Sequence, residues 1–247
     1  MKAKVLCVYD EGAALDKPYI GARGLSLFVD VDGQRTLFDT GMSPRYLSHN
    51  LDFLEIKSDS LDRVVISHGH REHVGGIEGV LEGRTVPIDI FAPESAIGGK
   101  GLFRSHGLYI VPEFSDRVNM NIVEGWTELS ENLHISSPID GECFLVLLTK
   151  EGPVVMCGCS HCGVDKVTDA VCERFGRAPK GYIGGIHLQK KEKDKSMEVA
   201  EYFRKNNCSD LLLNHCTSPD SITWMRTVLG LKGVNNFYVG DMKEYEV

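Results

Sequence analysis

Four side chains of metal-ligating type crowd into the segment His68-Gly69-His70-Arg71-Glu72-His73. The β-branched run Val64-Val65-Ile66 leads into it and reads as a buried strand that the chain leaves at Ser67. On an extended segment, residues two apart point the same way, so His68 and His70 converge on one ion. Gly69 lets the backbone turn tightly between them. Glu72 and His73 fall at the start of the next helix and reach a second, neighbouring point. A surface loop that merely happens to hold several histidines fits poorly with the buried strand feeding it. Imidazole with carboxylate suits zinc, iron or manganese, and the spacing does not choose among them. A divalent ion held this way lowers the pKa of bound water from about 15.7 toward ~7, giving hydroxide at neutral pH. Glu72 is then placed to position that water or relay its proton.

Other candidates are scattered along the chain. His161, His187 and His215 each follow an apolar, strand-like run. His187 comes after Gly184-Gly185-Ile186 and reads as a ligand, a proton donor or a substrate contact. Of the eight cysteines, Cys157, Cys159 and Cys162 cluster and Cys216 directly follows His215. A second Cys-x-x-Cys pair is missing, so an independent zinc knuckle is not expected. Cys159 stays a candidate outer ligand, and thiol redox chemistry is a rival reading. Asp39-Thr40-Gly41 has the form of an aspartic-protease triplet, but that chemistry needs two such carboxylates and the chain holds one copy. The mixed-charge run Lys190–Lys195 reads as a solvated loop that offers a lysine to a substrate phosphate. No phosphate-cradling loop or dinucleotide fingerprint is present.

The elements that must position these residues follow from short apolar runs and turn chemistry. Strands are expected at Lys4–Val8, Leu25–Val31, Thr36–Phe38, Arg63–Ile66, Ile88–Phe91, Val118–Val123, Leu133–Ser136, Cys143–Thr149, Val154–Cys157, Gly181–Ile186, Leu211–Leu213 and Asn236–Val239. Asp32-Gly33 marks a hairpin. Helices are expected from Pro44 to Leu54 with Ser43 as cap, and at His73–Leu81, Val164–Phe175, Ser196–Lys205 and Pro219–Leu229. Residues 98–117 read as an insertion or mobile loop. The organisation predicts one α/β domain over residues 1–247, built from two sheets with helices outside.

Composition narrows the function classes. The chain has 247 residues, 42% of them hydrophobic and 25% charged, enough for a full core without disulfides. The net charge of −8 argues against broad nucleic-acid binding, which needs a cationic face. No apolar run approaches the ~20 residues of a membrane span, so no membrane partner is expected. The N-terminus lacks a cleavable-signal pattern, so the expected location is the cytoplasm and the thiols are expected to be reduced. The oligomeric state is left open.

His68-Gly69-His70-Arg71-Glu72-His73 resembles the His-x-His-x-Asp-His signature of the metallo-β-lactamase-fold hydrolases, and Leu37-Phe38-Asp39-Thr40-Gly41 resembles that superfamily's first motif. Gly24-Leu25-Ser26, Gly158-Cys159-Ser160-His161, Gly184-Gly185-Ile186-His187-Leu188 and His215-Cys216-Thr217 extend the likeness over nearly the whole chain. They are similar to a cytoplasmic branch named for dihydropterin/ribofuranosylaminobenzene 5′-phosphate synthase. The resemblance implies an αββα sandwich of two mixed β-sheets flanked by helices. It implies His161 as a ligand completing a site with His68 and His70, and His215 as the last ligand, paired with His73. It makes Asp39 a residue behind the ligands, holding the metal loop or a ligand histidine in place. It implies one or two divalent ions, zinc first, with iron or manganese as alternatives. It implies a metal-dependent hydrolase acting on a small anionic substrate, a phosphorylated pterin-like compound or a phosphoester, with His187 protonating the departing group. One departure stands out: Glu72 occupies the usual aspartate position, and its extra methylene puts a second ion in question, since ligand distances tolerate only ~0.2 Å. That departure favours a rival on the same fold, a metal-bearing ligand-binding or sensor protein without catalysis.

Overall fold

Alternation along a strand decides the layers. In β1 (Lys2–Tyr9), Val5 and Cys7 face one way and Leu6 and Val8 the other. A computed structural model describes residues 1–98 and 107–247. The chain continues through β2 (Ser26–Val31), β3 (Gln34–Phe38), β4 (Arg63–Val65), β5 (Ile88–Ala92) and β6 (Val118–Ile122). It crosses to β7 (Thr127–Ser130), β8 (Leu133–Ile135), β9 (Leu145–Thr149), β10 (Gly152–Cys157), β11 (Gly181–Gly184), β12 (Asp210–Leu213) and β13 (Asn235–Asn236). It then returns with β14 (Met242–Glu246) to the edge of the first sheet beside β1. Among the described residues each sheet has seven strands, ordered β14-β1-β2-β3-β4-β5-β6 and β13-β12-β11-β10-β9-β8-β7.

Three apolar layers hold the sandwich together. Val5, Leu27, Val29, Phe38 and Val65 of the first sheet meet Leu145, Leu147, Val154, Met156 and Ile183 of the second. Helices α1 (Pro44–Phe53), α2 (Arg71–Val74) and α3 (Ile77–Leu81) cover the outer face of the first sheet, through residues such as Leu47, Leu51, Val74 and Val80. Helices α4 (Val164–Phe175), α5 (Lys193–Lys205) and α6 (Pro219–Leu229) cover the second through Val167, Val171, Phe203 and Met225. The result is the expected αββα arrangement. None of the described helices is long and apolar enough to cross a membrane.

Strand direction places the site. β3, β4, β5 and β6 run parallel, as do β10, β11, β12 and β13. β1 pairs antiparallel with β2, which pairs antiparallel with β3, so β1 and β3 point the same way. The residues just past the C-terminal ends of β1, β3, β4, β10, β11 and β12 therefore gather at one end of the sandwich.

Several expected elements are redrawn. The helix expected at His73–Leu81 is two pieces, because Gly75 and Gly76 lie against another backbone. A Cβ on Gly76 would stand 1.9 Å from the Thr40 carbonyl oxygen, and one on Gly75 2.5 Å from that of Met42. Ser43 flanks α1 but makes no side-chain capping bond; Pro44 opens the helix as expected. β7 and β14 lie outside the expected strands, because Thr127–Ser130 and Met242–Glu246 are edge segments with few apolar residues. The closing strand is shorter and earlier, Asn235–Asn236. Of the loop expected at 98–117, residues 99–106 lie outside the described residues. Its remainder includes a bridge from Leu108 to Ile97 and a 3₁₀ turn at Pro112–Arg117.

Candidate metal centre

Asp39 leaves β3 with a left-handed backbone (φ 57°) and a fully buried carboxylate. Its Oδ1 accepts the Ser67 N–H at 2.7 Å. Its Oδ2 accepts the Ser67 hydroxyl at 2.7 Å and lies 2.7 Å from His73 Nδ1. Burial pushes the carboxyl up to about 8 against the pull of the Ser67 donors.

With Asp39 ionised, as a cation bound beside it would favour, these bonds decide which histidine nitrogens carry protons. The Ser67 hydroxyl gives its one proton to Asp39, so it accepts from His68 Nδ1 at 2.9 Å. His68 Nε2 is then a bare lone pair, and it faces His70 Nδ1 at 3.0 Å. His73 likewise donates from Nδ1 to Asp39 and turns its Nε2 lone pair on Cys159 Sγ at 3.3 Å. Burial, reinforced by the neighbouring imidazoles, holds His68 and His73 far below the usual histidine range and keeps them neutral, as ligands must be.

His161 follows β10 and packs its ring 5.0 Å from those of both His68 and His70. His215 follows β12 and stands 4.8 Å, ring to ring, from His73. The structure thus brings together His68, His70 and His161, and beside them His73 and His215. Cys159 lies between: its sulfur is within 4.8 Å of donors of His68 and His161, and equally of donors of His73 and His215. This donor set of imidazoles and one thiol fits zinc, with iron or manganese as poorer matches to the sulfur.

Glu72 is placed elsewhere. Its carboxylate pairs with Arg23 Nη2 at 3.0 Å, and none of the donor groups among the described residues includes it. The added methylene reaches out of the site to the loop before β2, and the Arg23 guanidinium contributes to holding its carboxyl below the usual range against burial. His187 follows β11 in a left-handed conformation (φ 50°), its ring 4.5 Å from that of His161. Its Nε2 meets the Gln189 amide at 3.3 Å. Of the lysine run, Lys195 pairs with Glu192 at 3.6 Å.

Three acidic residues not singled out in the sequence hold the donor loops. Glu142, buried in the turn before β9, accepts the N–H groups of Cys159 and Ser160 on Oε1 at 2.7 and 2.9 Å. Its Oε2 accepts the His161 N–H at 2.9 Å. Asp10, past the end of β1, accepts the His215 N–H at 2.8 Å. Glu11 faces His215 Nδ1 at 3.1 Å and, against burial, lifts that imidazole to about 9, so His215 must release a proton before it can hold a metal. Carboxylates at the ends of strands are a weak signal for Asp10-Glu11; for Glu142 no local signal exists.

A cleft of about 480 Å³ opens onto the histidines, lined by Ser95, Ile97, Asp140, Glu142, His70 and His161 among others. Among its described lining residues there is no lysine or arginine.

A family model described as the metallo-beta-lactamase superfamily matches residues 21–164. A Methanocaldococcus jannaschii protein named 7,8-dihydropterin-6-methyl-4-(beta-D-ribofuranosyl)-aminobenzene-5'-phosphate synthase is 22% identical, over 87% of this chain and 87% of its own. Among solved structures, Tm1679, described as a metal-dependent hydrolase of the beta-lactamase superfamily, superposes with a TM-score of 0.80 at 24% identity, covering 99% of this chain and 100% of that one. A diphosphatase of the PhnP family superposes with a TM-score of 0.58 at 17% identity, covering 99% and 98%. These structural likenesses establish the shared fold.

Proposed function

The chain belongs to the metallo-beta-lactamase superfamily, and on that premise we propose that it is a metal-dependent hydrolase of a small anionic substrate, a phosphoester or a phosphorylated pterin-like compound. One observation carries the reading: the bare His68 Nε2 faces His70 Nδ1 at 3.0 Å, a spacing suited to two nitrogens sharing one ion. His68, His70 and His161 would hold one ion, and His73 and His215 a second, with Cys159 between them. When bound, the ions supply Lewis acidity, an acidified water and charge to match a developing oxyanion.

The chain's own groups do the positioning. Asp39, through Ser67 and His73, keeps the donor nitrogens unprotonated and aimed. Glu142 and Asp10 fix the backbones of the loops that carry His161 and His215. The cleft's described lining is acidic and imidazole-rich, so recognition of an anion would fall to cations held by His68, His70 and His161. The substrate class is supported by the names of the M. jannaschii relative and the diphosphatase.

The Glu72–Arg23 ion pair favours a second reading, a metal-bearing ligand-binding protein, because it turns the carboxylate that stands at the motif's usual ligand position away from the histidines. Zinc-loaded protein screened against phosphodiesters, phosphomonoesters, esters and lactones separates the two. The hydrolase reading expects turnover of a phosphoester that a chelator abolishes and zinc restores. Stoichiometric zinc with tight retention of a ligand and no turnover would establish the binder instead.

A further inference from the structure

Three neighbouring parallel strands deliver one soft donor each to a point beside the histidine groups. Cys157 of β10, Gly184 of β11 and Leu213 of β12 stand in register. Two to three residues further on come Cys159, His187 and Cys216. Their sulfur and imidazole donors lie within 4.8 Å of one another.

The surroundings are shaped to this cluster. A Cβ on Gly185 would stand 2.5 Å from Cys216 Sγ, so the bare glycine makes room for the sulfur. The His187 N–H donates to Cys216 Sγ at 3.2 Å, a bond that favours a thiolate. Cys216 Sγ in turn points at the Cys159 carbonyl, 3.8 Å away. His187 Nδ1 is buried with the Cys216 thiol beside it, in a residue held at a left-handed backbone angle. A buried nitrogen left with so weak a partner is costly unless something else binds it.

We propose that Cys159, His187 and Cys216 form a further cation site, selective for thiophilic divalent ions such as zinc and cobalt. Two thiolates and one imidazole make a softer donor set than the imidazole groups beside it. Cys159 is shared with those groups, its sulfur within 4.8 Å of donors in each. Loading releases to solvent any proton still on either sulfur as two sulfur–metal bonds form, with no change of oxidation state. The site stands whether or not the protein is a hydrolase, since His187 and Cys216 belong to it alone.

Cobalt(II) titration of metal-stripped, reduced protein tests it, read by cobalt equivalents and by the thiolate-to-cobalt absorption in the near ultraviolet. His68→Ala with His70→Ala removes the first histidine group, and the thiolate band is expected to persist with at least one equivalent bound. Adding Cys216→Ser to that background is expected to weaken binding at least tenfold and to reduce the band. His187→Gln is expected to weaken binding while keeping the band's sulfur character. Cys172→Ser, on α4, controls for loss of an unrelated thiol and is expected to change neither readout. Cys216→Ala is the second variant if the serine fails to fold. An unchanged band and stoichiometry in the folded Cys216 variant would overturn the site. So would a disulfide between Cys159 and Cys216 in the protein as purified, shown by a thiol count below eight that reduction restores. If instead cobalt binds only through these thiols and the His68/His70 variant loses no metal, the hydrolase reading fails while this site stands.

Discussion

Asp39 and His73 are joined by a 2.7 Å hydrogen bond between Oδ2 and Nδ1, both side chains fully buried. The same carboxylate oxygen takes the hydroxyl of Ser67, which orders His68. One carboxylate thus touches a donor in each histidine group, His73 directly and His68 through Ser67.

Asp39→Asn keeps the volume but replaces one acceptor oxygen with an N–H₂ donor. We expect zinc affinity to fall about 10–100-fold, the usual cost of losing the group behind a ligand histidine. Competition with a chromophoric chelator measures it. Unchanged affinity would show that His68 and His73 keep their orientation without Asp39.

Glu142→Gln tests the loop anchor. The amide has one acceptor oxygen where the carboxylate serves three backbone N–H groups on two oxygens. Its N–H₂ then opposes at least one of those donors. We expect a loss of about 2–3 kcal/mol in urea unfolding, together with weaker zinc binding. A stability change under ~0.5 kcal/mol would mean the loop is held by other contacts.

Glu72→Gln is expected to leave zinc content unchanged within about twofold and stability within ~1 kcal/mol, because the lost pair with Arg23 is partly solvated. Elemental analysis of the purified variant reads the first quantity. Loss of an equivalent of zinc would return Glu72 to the metal centre.

Gly76→Ala forces a Cβ to 1.9 Å from the Thr40 carbonyl oxygen, between two stretches of backbone that carry Asp39 and His73. We expect destabilisation of about 3 kcal/mol, the upper range for overpacking. Gly176→Ala, at φ +69° with nothing within 4 Å, is the control and should cost only ~1 kcal/mol for its left-handed backbone. Thermal unfolding of the two variants compares them, and equal melting temperatures would refute the close-packing account.

Much of the fold, and the grouping of histidines at the candidate metal centre, is legible in the amino-acid sequence. The period-two spacing of His68 and His70 behind Val64-Val65-Ile66 requires only that the segment be extended. Val164–Phe175 and Pro219–Leu229 carry the bounds expected for them. Other features are hidden for a physical reason. Glu142 serves Cys159, and Asp10 serves His215, across sequence separations of 17 and 205 residues, so nothing local marks them. Glu72 reads as an ion ligand because its neighbours are histidines. Its partner Arg23, 49 residues earlier, is set by the folded sheet. β14 leaves no apolar run to find, because Met242, Glu244 and Glu246 are exposed along an edge. The helix break at Gly75-Gly76 depends on which backbone lies against it, which only the fold reveals.

The central claim is that side chains carried past the ends of separate strands, β4, β10 and β12 above all, gather to hold divalent metal. Zinc content per chain, measured by elemental analysis after reconstitution and gel filtration, tests it most directly in the native protein and in the His68→Ala/His70→Ala variant. The account predicts at least one firmly bound zinc in the native protein and a loss of about one equivalent in the folded variant. Native protein that retains no zinc, or a variant that retains all of it, would contradict the account.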